Sequence, residues 1–189
     1  MKKITLLAAG MMLGASLFAQ TKWQVDKAHA KVGFTVTHLT LSEVDGNFKS
    51  FDASITSSKP DFSDAVFEMT AEVSSVNTDN DMRDNDIKSD HFFDAAKYPQ
   101  ITFKSTAVQK ISDKAYKLTG DLTMHGVTKQ VTLDMTLNGI GKNMRTQKPL
   151  AGFKVTGTIN RNDFGVGHMP AAIVSEEIQI RANGEFGQI

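Results

Sequence analysis

From residue 23 onward most of the chain alternates apolar and polar side chains with a period of two, the repeat of a strand that buries one face. Val32, Phe34, Val36 and His38 share a face opposite Gly33, Thr35 and Thr37, which predicts a first strand within residues 23–41. A second strand spans residues 44–56, where the apolar phase slips between Phe48 and Phe51 and predicts a bulge. Lys59-Pro60-Asp61 punctuates a loop. Phe67, Met69, Ala71 and Val73 place a third strand over residues 66–76, and Pro99 opens a fourth that continues through Ile101, Phe103 and Ala107. Tyr116, Leu118, Gly120, Leu122 and Met124 alternate cleanly up to a turn at His125-Gly126. Val131, Leu133, Met135 and Leu137 follow, so the two runs predict a hairpin. Residues 139–149 read as a basic, glycine-containing loop. Phe153, Val155, Gly157 and Ile159 mark a seventh strand. Ile178, Ile180 and Ala182, with Phe186 in phase, mark an eighth.

Two stretches break the alternation. Residues 76–103 (VNTDNDMRDNDIKSDHFFDAAKYPQITF) set Met82, Ile87, Phe92 and Phe93 among charges, the pattern of short amphipathic helical turns. Their density of Asp and Asn argues against one long helix. Residues 160–173 are irregular, with Gly165, Gly167 and Pro170, and within them Asn162-Asp163-Phe164-Gly165 reads as a turn that packs Phe164 under an end of the sheet. Eight sequential antiparallel strands with little edge protection predict an all-β fold, an eight-stranded antiparallel barrel with a short helical insertion near one end. A β-sandwich is the alternative. No repeat period or low-complexity linker divides residues 20–189, which read as one domain.

A barrel of eight strands is either filled by side chains or holds one small ligand. The in-phase positions mix large residues with the small Ala71, Gly120, Gly157 and Ala182, which favours a hole, and nine Met residues supply an adaptable lining. The expected apolar lining is Phe34, Val36, Phe67, Met69, Phe103, Leu122, Met124, Leu133, Met135, Phe153 and Val155. His38, Met82, Ile87, Phe92, Phe93 and Phe164 are expected at the mouth. The alternative is a solid core in which the small residues relieve strand curvature.

Composition narrows the function classes. Lys2 and Lys3 precede an uncharged apolar run over residues 4–18, and Ala19 is a small residue at a cleavage point, so residues 1–19 are expected to be a signal peptide. No Cys follows this run, which excludes a lipid-anchored lipoprotein. Without Lys2 and Lys3 the rest has 19 basic against 21 acidic residues, a net charge of −2 and no basic stripe, a poor match to nucleic acid. No second apolar run is long enough to span a membrane, so no stable insertion is expected after cleavage. The expected location is therefore exported, in the periplasm or secreted. With no Cys, stability rests on core burial and sheet pairing.

Signatures of catalysis are sparse. His29, His38, His91, His125 and His168 form neither HxH nor HExxH, so no metal or other cofactor is expected. There is no G-x-S-x-G elbow, and no carboxylate pair falls in the apolar phase. His38 is either a satisfied histidine at the barrel end or a hydrogen-bond partner for a ligand head group. His125 reads as structural. Arg83-Asp84 can pair locally or meet an anionic head group. Lys142, Arg145 and Lys148 read as a solvated hairpin tip.

Three segments carry a resemblance: WQVDKAHAKVGFTVTHLTLSEVDGNF (residues 23–48), SVNTDNDMRDNDIKSDHFFDAAKYPQITF (75–103), and GDLTMHGVTKQVTLDM (120–135) with INRNDFGVG (159–167) after it. Together they resemble the YceI-like family of exported lipid-binding proteins. The resemblance implies a lipocalin-like barrel that holds a polyisoprenoid, isoprenoid quinone or fatty-acid derivative, some members being homodimers, with no shared catalytic set. Asp86 stands where the family commonly has His, and His91 where an acidic or polar residue is common, so no role is carried to either. The expected function is a lipid carrier or scavenger and not an enzyme. The alternatives are an enzyme acting on such a lipid through His38 and an acidic neighbour, and a solid partner-binding barrel without a ligand.

Overall fold

A computed structural model of the chain describes residues 20–189; the expected signal peptide lies outside the described residues. The strands are β1 (Thr21–His38), β2 (Ser42–Phe48), β3 (Phe51–Ser57), β4 (Val66–Glu72), β5 (Val76–Asn77), β6 (Gln100–Lys110), β7 (Ala115–Met124), β8 (Val127–Lys142), β9 (Pro149–Asn160) and β10 (Glu177–Gln188). One helix, α1 (Asp81–Lys88), joins β5 to β6. All strands belong to one antiparallel sheet, and β10 returns to pair with β1. That last pairing closes the sheet on itself and rules out the sandwich.

The ten segments fill eight lanes. β2 and β3 share one lane beside β1, which meets them at Val32–Phe48 and at Gln24–Ser54. Their break falls at Lys49-Ser50, where the apolar phase slips. β4 and β5 share the next lane, interrupted by a 3₁₀ turn, Val73–Ser75. The result is a closed eight-stranded antiparallel barrel with one short helix.

The strand expected over residues 66–76 is broken by the turn at Val73–Ser75, and a second element also departs from expectation. β8 continues to Lys142, pairing Ile140 with Ala151 and Lys142 with Pro149, so the loop shrinks to residues 143–148. Gly139 and Gly141 suggest a turn locally, but a strand can carry them where the partner's ladder supplies the hydrogen bonds. The register shift between Leu137 and Gly139 marks the strain as a bulge.

The two ends of the barrel are built differently. At one end Phe62, held at φ 58° and 1% exposed, wedges its ring between Trp23 (5.2 Å between centroids) and Phe153 (5.0 Å). Phe67 and Phe186 pack edge-on to the same Phe153 ring. The Tyr116 hydroxyl donates to the Asp61 carbonyl at 2.8 Å. Asp64 anchors this loop by accepting from Ser57 Oγ (2.5 Å), Ser58 N (3.0 Å), Ser58 Oγ and Lys59 N (3.1 Å). Burial alone would raise the Asp64 pKa, but these donors outweigh it and hold the carboxyl far below the usual range. The other end is covered by α1 and the turns after it. Asn80 caps α1 by accepting from Arg83 N (3.0 Å), and Asp81 and Asp84 in the first turn face the positive end of its dipole. Phe93 N and Ala95 N donate to the Ile87 and Lys88 carbonyls, so the chain folds back over the helix end.

Candidate functional site: an apolar chamber beneath the helix

Alternation along each strand sends one set of side chains inward, and under α1 those side chains do not meet. They enclose a space of about 710 Å³. Phe34, Val36, Met69, Leu122 and Met124 line its wall, and His38, Met82, Ile87, Phe92 and Phe93 stand around its mouth. Phe48 links wall to lid: its ring centroid lies 5.8 Å from Phe34 and 6.3 Å from Phe93, edge-on to the latter. A second space of about 130 Å³ lies toward the aromatic plug, lined by Phe67, Phe103, Leu133, Phe153 and Val155, with Met69 and Leu122 again on its wall.

Met135 and Phe164 line neither space; each is 1% exposed and packed into core. Met135 pairs with Tyr116 and Val155 in the filled part of the barrel. Phe164 is folded into the 3₁₀ turn Arg161–Phe164. The small residues also act differently from expectation. A Cβ on Gly120 would meet the Phe103 ring at 2.6 Å and the Lys104 carbonyl oxygen at 2.5 Å, and one on Gly157 would meet Leu133. Their space is used by neighbours. Ala71 lines neither chamber, and Ala182 borders the smaller one. The large chamber instead reflects side chains that stop short of each other across the barrel.

Sequence reasoning missed several lining residues. Val32, Ile178 and Ile180 carried the inward phase of their strands, so periodicity could have found them. Met169, Ile173 and Val174 come from an irregular segment whose sequence carries no periodic signal. Arg161 had no signal at all. It is 3% exposed, borders the chamber, and burial lowers its pKa below the ordinary guanidinium value. Its Nε donates to Ser175 O (3.0 Å), Nη1 to Val166 O (3.1 Å), Gly167 O (2.7 Å) and Asn162 Oδ1 (3.1 Å), and Nη2 to Met169 O (2.5 Å) and Val174 O (3.1 Å). One buried fork therefore organises residues 161–175 into the wall.

The polar groups near α1 are mostly committed. Arg83 and Asp84 both grip Thr78 and do not pair with each other. Arg83 donates to Thr78 Oγ1 (2.8 Å) and O (2.7 Å), and Asp84 accepts from Thr78 N (2.8 Å) and Oγ1 (2.6 Å). His91 Nδ1 lies 2.8 Å from Asp86 Oδ1, a hydrogen bond that raises the His91 pKa. His38 borders the chamber at the end of β1, and among the described residues no carboxylate forms an ion pair with it. His125 packs edge-on to Tyr98 at 4.6 Å, as a structural turn residue would. Asp26, His29 and Glu185 bring potential ligand atoms within 4.8 Å of one another on the outer wall. All three are exposed, and the His29–Asp26 hydrogen bond of 2.8 Å accounts for the closest pair.

A closed barrel with a plugged base, an apolar chamber and a helical cover is the architecture of a container. The YceI-like domain model matches residues 23–186 of this sequence, and the chain belongs to that family. It is 38% identical over 188 residues to a UPF0312 protein of Pseudomonas putida strain GB-1, covering 97% of this chain and 96% of the relative. Among solved structures it is similar to a Campylobacter jejuni YceI protein, at 31% identity and TM-score 0.75, over 100% of this chain and 99% of that one. It also shares its fold with a polyisoprenoid binding domain from Saccharophagus degradans implicated in plant cell wall breakdown. That match has TM-score 0.63 and 14% identity, and covers 89% of this chain and 98% of that one.

Proposed function

We propose that this protein binds a long-chain amphiphilic lipid in its chamber and carries or sequesters it in the cell envelope, reached through its N-terminal segment. The observation that carries this reading is the chamber itself. Its volume of about 710 Å³ falls within the roughly 300–1,000 Å³ of small-molecule sites. Its wall is largely apolar, and His38, Thr78, Asn80, Arg83, Asp86 and Arg161 supply its polar side chains. This polarity fits a guest with an oily tail and a polar head, a polyisoprenoid, isoprenoid quinone or fatty-acid derivative. Tail burial would supply affinity at about 25 cal/mol per Å², and the rim would orient the head. The S. degradans domain, a polyisoprenoid binder, has the same barrel. Binding rather than turnover is the proposed activity, in keeping with the chamber's largely apolar wall.

Solvent extraction of the protein purified from its own envelope fraction, followed by lipid mass spectrometry, tests this. A polyprenyl or acyl species near one per chain is the expected result. A protein that is empty and also refuses such lipids in solution would overturn it.

A further inference from the structure

The two interior spaces share four wall residues, Val32 of β1, Met69 of β4, Leu122 of β7 and Ile180 of β10. These strands are spread around the barrel, so their side chains converge from several sides at one level. Within this set Met69 is paired with Phe103, and Phe103 with Leu122. Above them lies the chamber of about 710 Å³, and below them one of about 130 Å³. The smaller space is close to the roughly 150 Å³ of an apolar cavity that takes up benzene. It has room for the end of a chain and not for a whole guest. Phe153 on its wall packs against the Phe62 plug.

We propose that Val32, Met69, Leu122 and Ile180 form a collar that sets how long a lipid tail the barrel accepts. This rests on the lipid-binding reading above. A tail that fits the upper chamber lies over the collar. A longer one must pass its tip between Met69 and Leu122 into the lower space. There it gains a few more apolar contacts and then meets the plug. Met69 is unbranched and adaptable, so it yields to a tip. Leu122 is 5% exposed and is the stiffer side of the gap. The collar is thus a specificity determinant that acts on tail length and leaves the head group to the rim.

A series of saturated fatty acids lengthened stepwise by methylenes, titrated against the delipidated protein, tests this. Affinity for the unaltered chain should rise about fourfold per added methylene and then stop rising at a break. Leu122→Ala, or Met69→Ala should that variant fail to fold, moves the break to longer acids. Leu122→Trp moves it to shorter ones. A break that stays put in folded variants of both kinds, or a rise with no break, overturns the collar while leaving lipid binding standing. Failure of the unaltered protein to bind any acid in the series overturns both.

Discussion

Arg161 stands in an environment far from the usual one for its residue type. Arginine is rarely buried without a carboxylate, and among the described residues none forms an ion pair with this one. Carbonyl oxygens of residues 166–175 take its donors instead, so its loss would strand several buried acceptors at once. Arg161→Leu should destabilise the protein by about 3–5 kcal/mol, read as a lower urea midpoint. Arg161→Lys should recover part of that, because it restores the charge without the fork. The glycines make a complementary point. Gly120 is needed because the Phe103 ring and the neighbouring backbone lie where its Cβ would be. Small residues in a strand can therefore signal close packing as readily as open space.

At the scale of elements, α1 and the turn after it form the cover, and a side-chain pair latches the two beside the backbone bonds at the helix end. Asp86 belongs to the helix and borders the chamber; His91 follows the helix and bonds it. The resemblance alone carried no role to either residue, and in the fold they prove to be partners. The raised His91 pKa means that the charged latch is fully present below the ordinary histidine range and fades as pH rises through the raised value. An NMR titration should place the His91 midpoint above that of a free imidazole, about 6.5. Asp86→Asn should return it to the ordinary range. An unshifted midpoint in the unaltered protein would show that the latch does not form in solution.

For the molecule as a whole, closure and emptiness are coupled. Eight lanes close on the β1–β10 seam, where β1 advances five residues from Val25 to Ala30 while β10 advances two. The plug fills one end with rings and leaves the other end oily and unfilled. A guest that binds only this folded state stabilises it by mass action, by about 2.7 kcal/mol at a hundredfold excess over its Kd. For a chain of this size that is roughly 5–10 °C in Tm. Delipidated protein should therefore melt lower than protein refilled with its extracted lipid, and calorimetry of the two preparations reads the difference.

Much of this was legible in the sequence because a strand's period of two is a local property. The lanes, the slip between Phe48 and Phe51, the hairpin at His125-Gly126 and the short helical interruption each follow from neighbours along the chain. Most of the inward residues also follow, since phase alone sends Phe34, Met69 and Leu122 to the same face. Tertiary structure decided what phase does not encode. The height of a residue along the barrel axis depends on register across all eight lanes. Met135 therefore falls among packed rings while Met124, on a neighbouring strand, faces the chamber. Closure depended on β10 meeting β1, a contact between the two ends of the described chain. Arg161 and the segment it organises depended on carbonyls several residues ahead, aligned only once the loop is folded. The sequence by itself determined a barrel with an oily inner face. Only the three-dimensional packing decided where that face is filled and where it is left open.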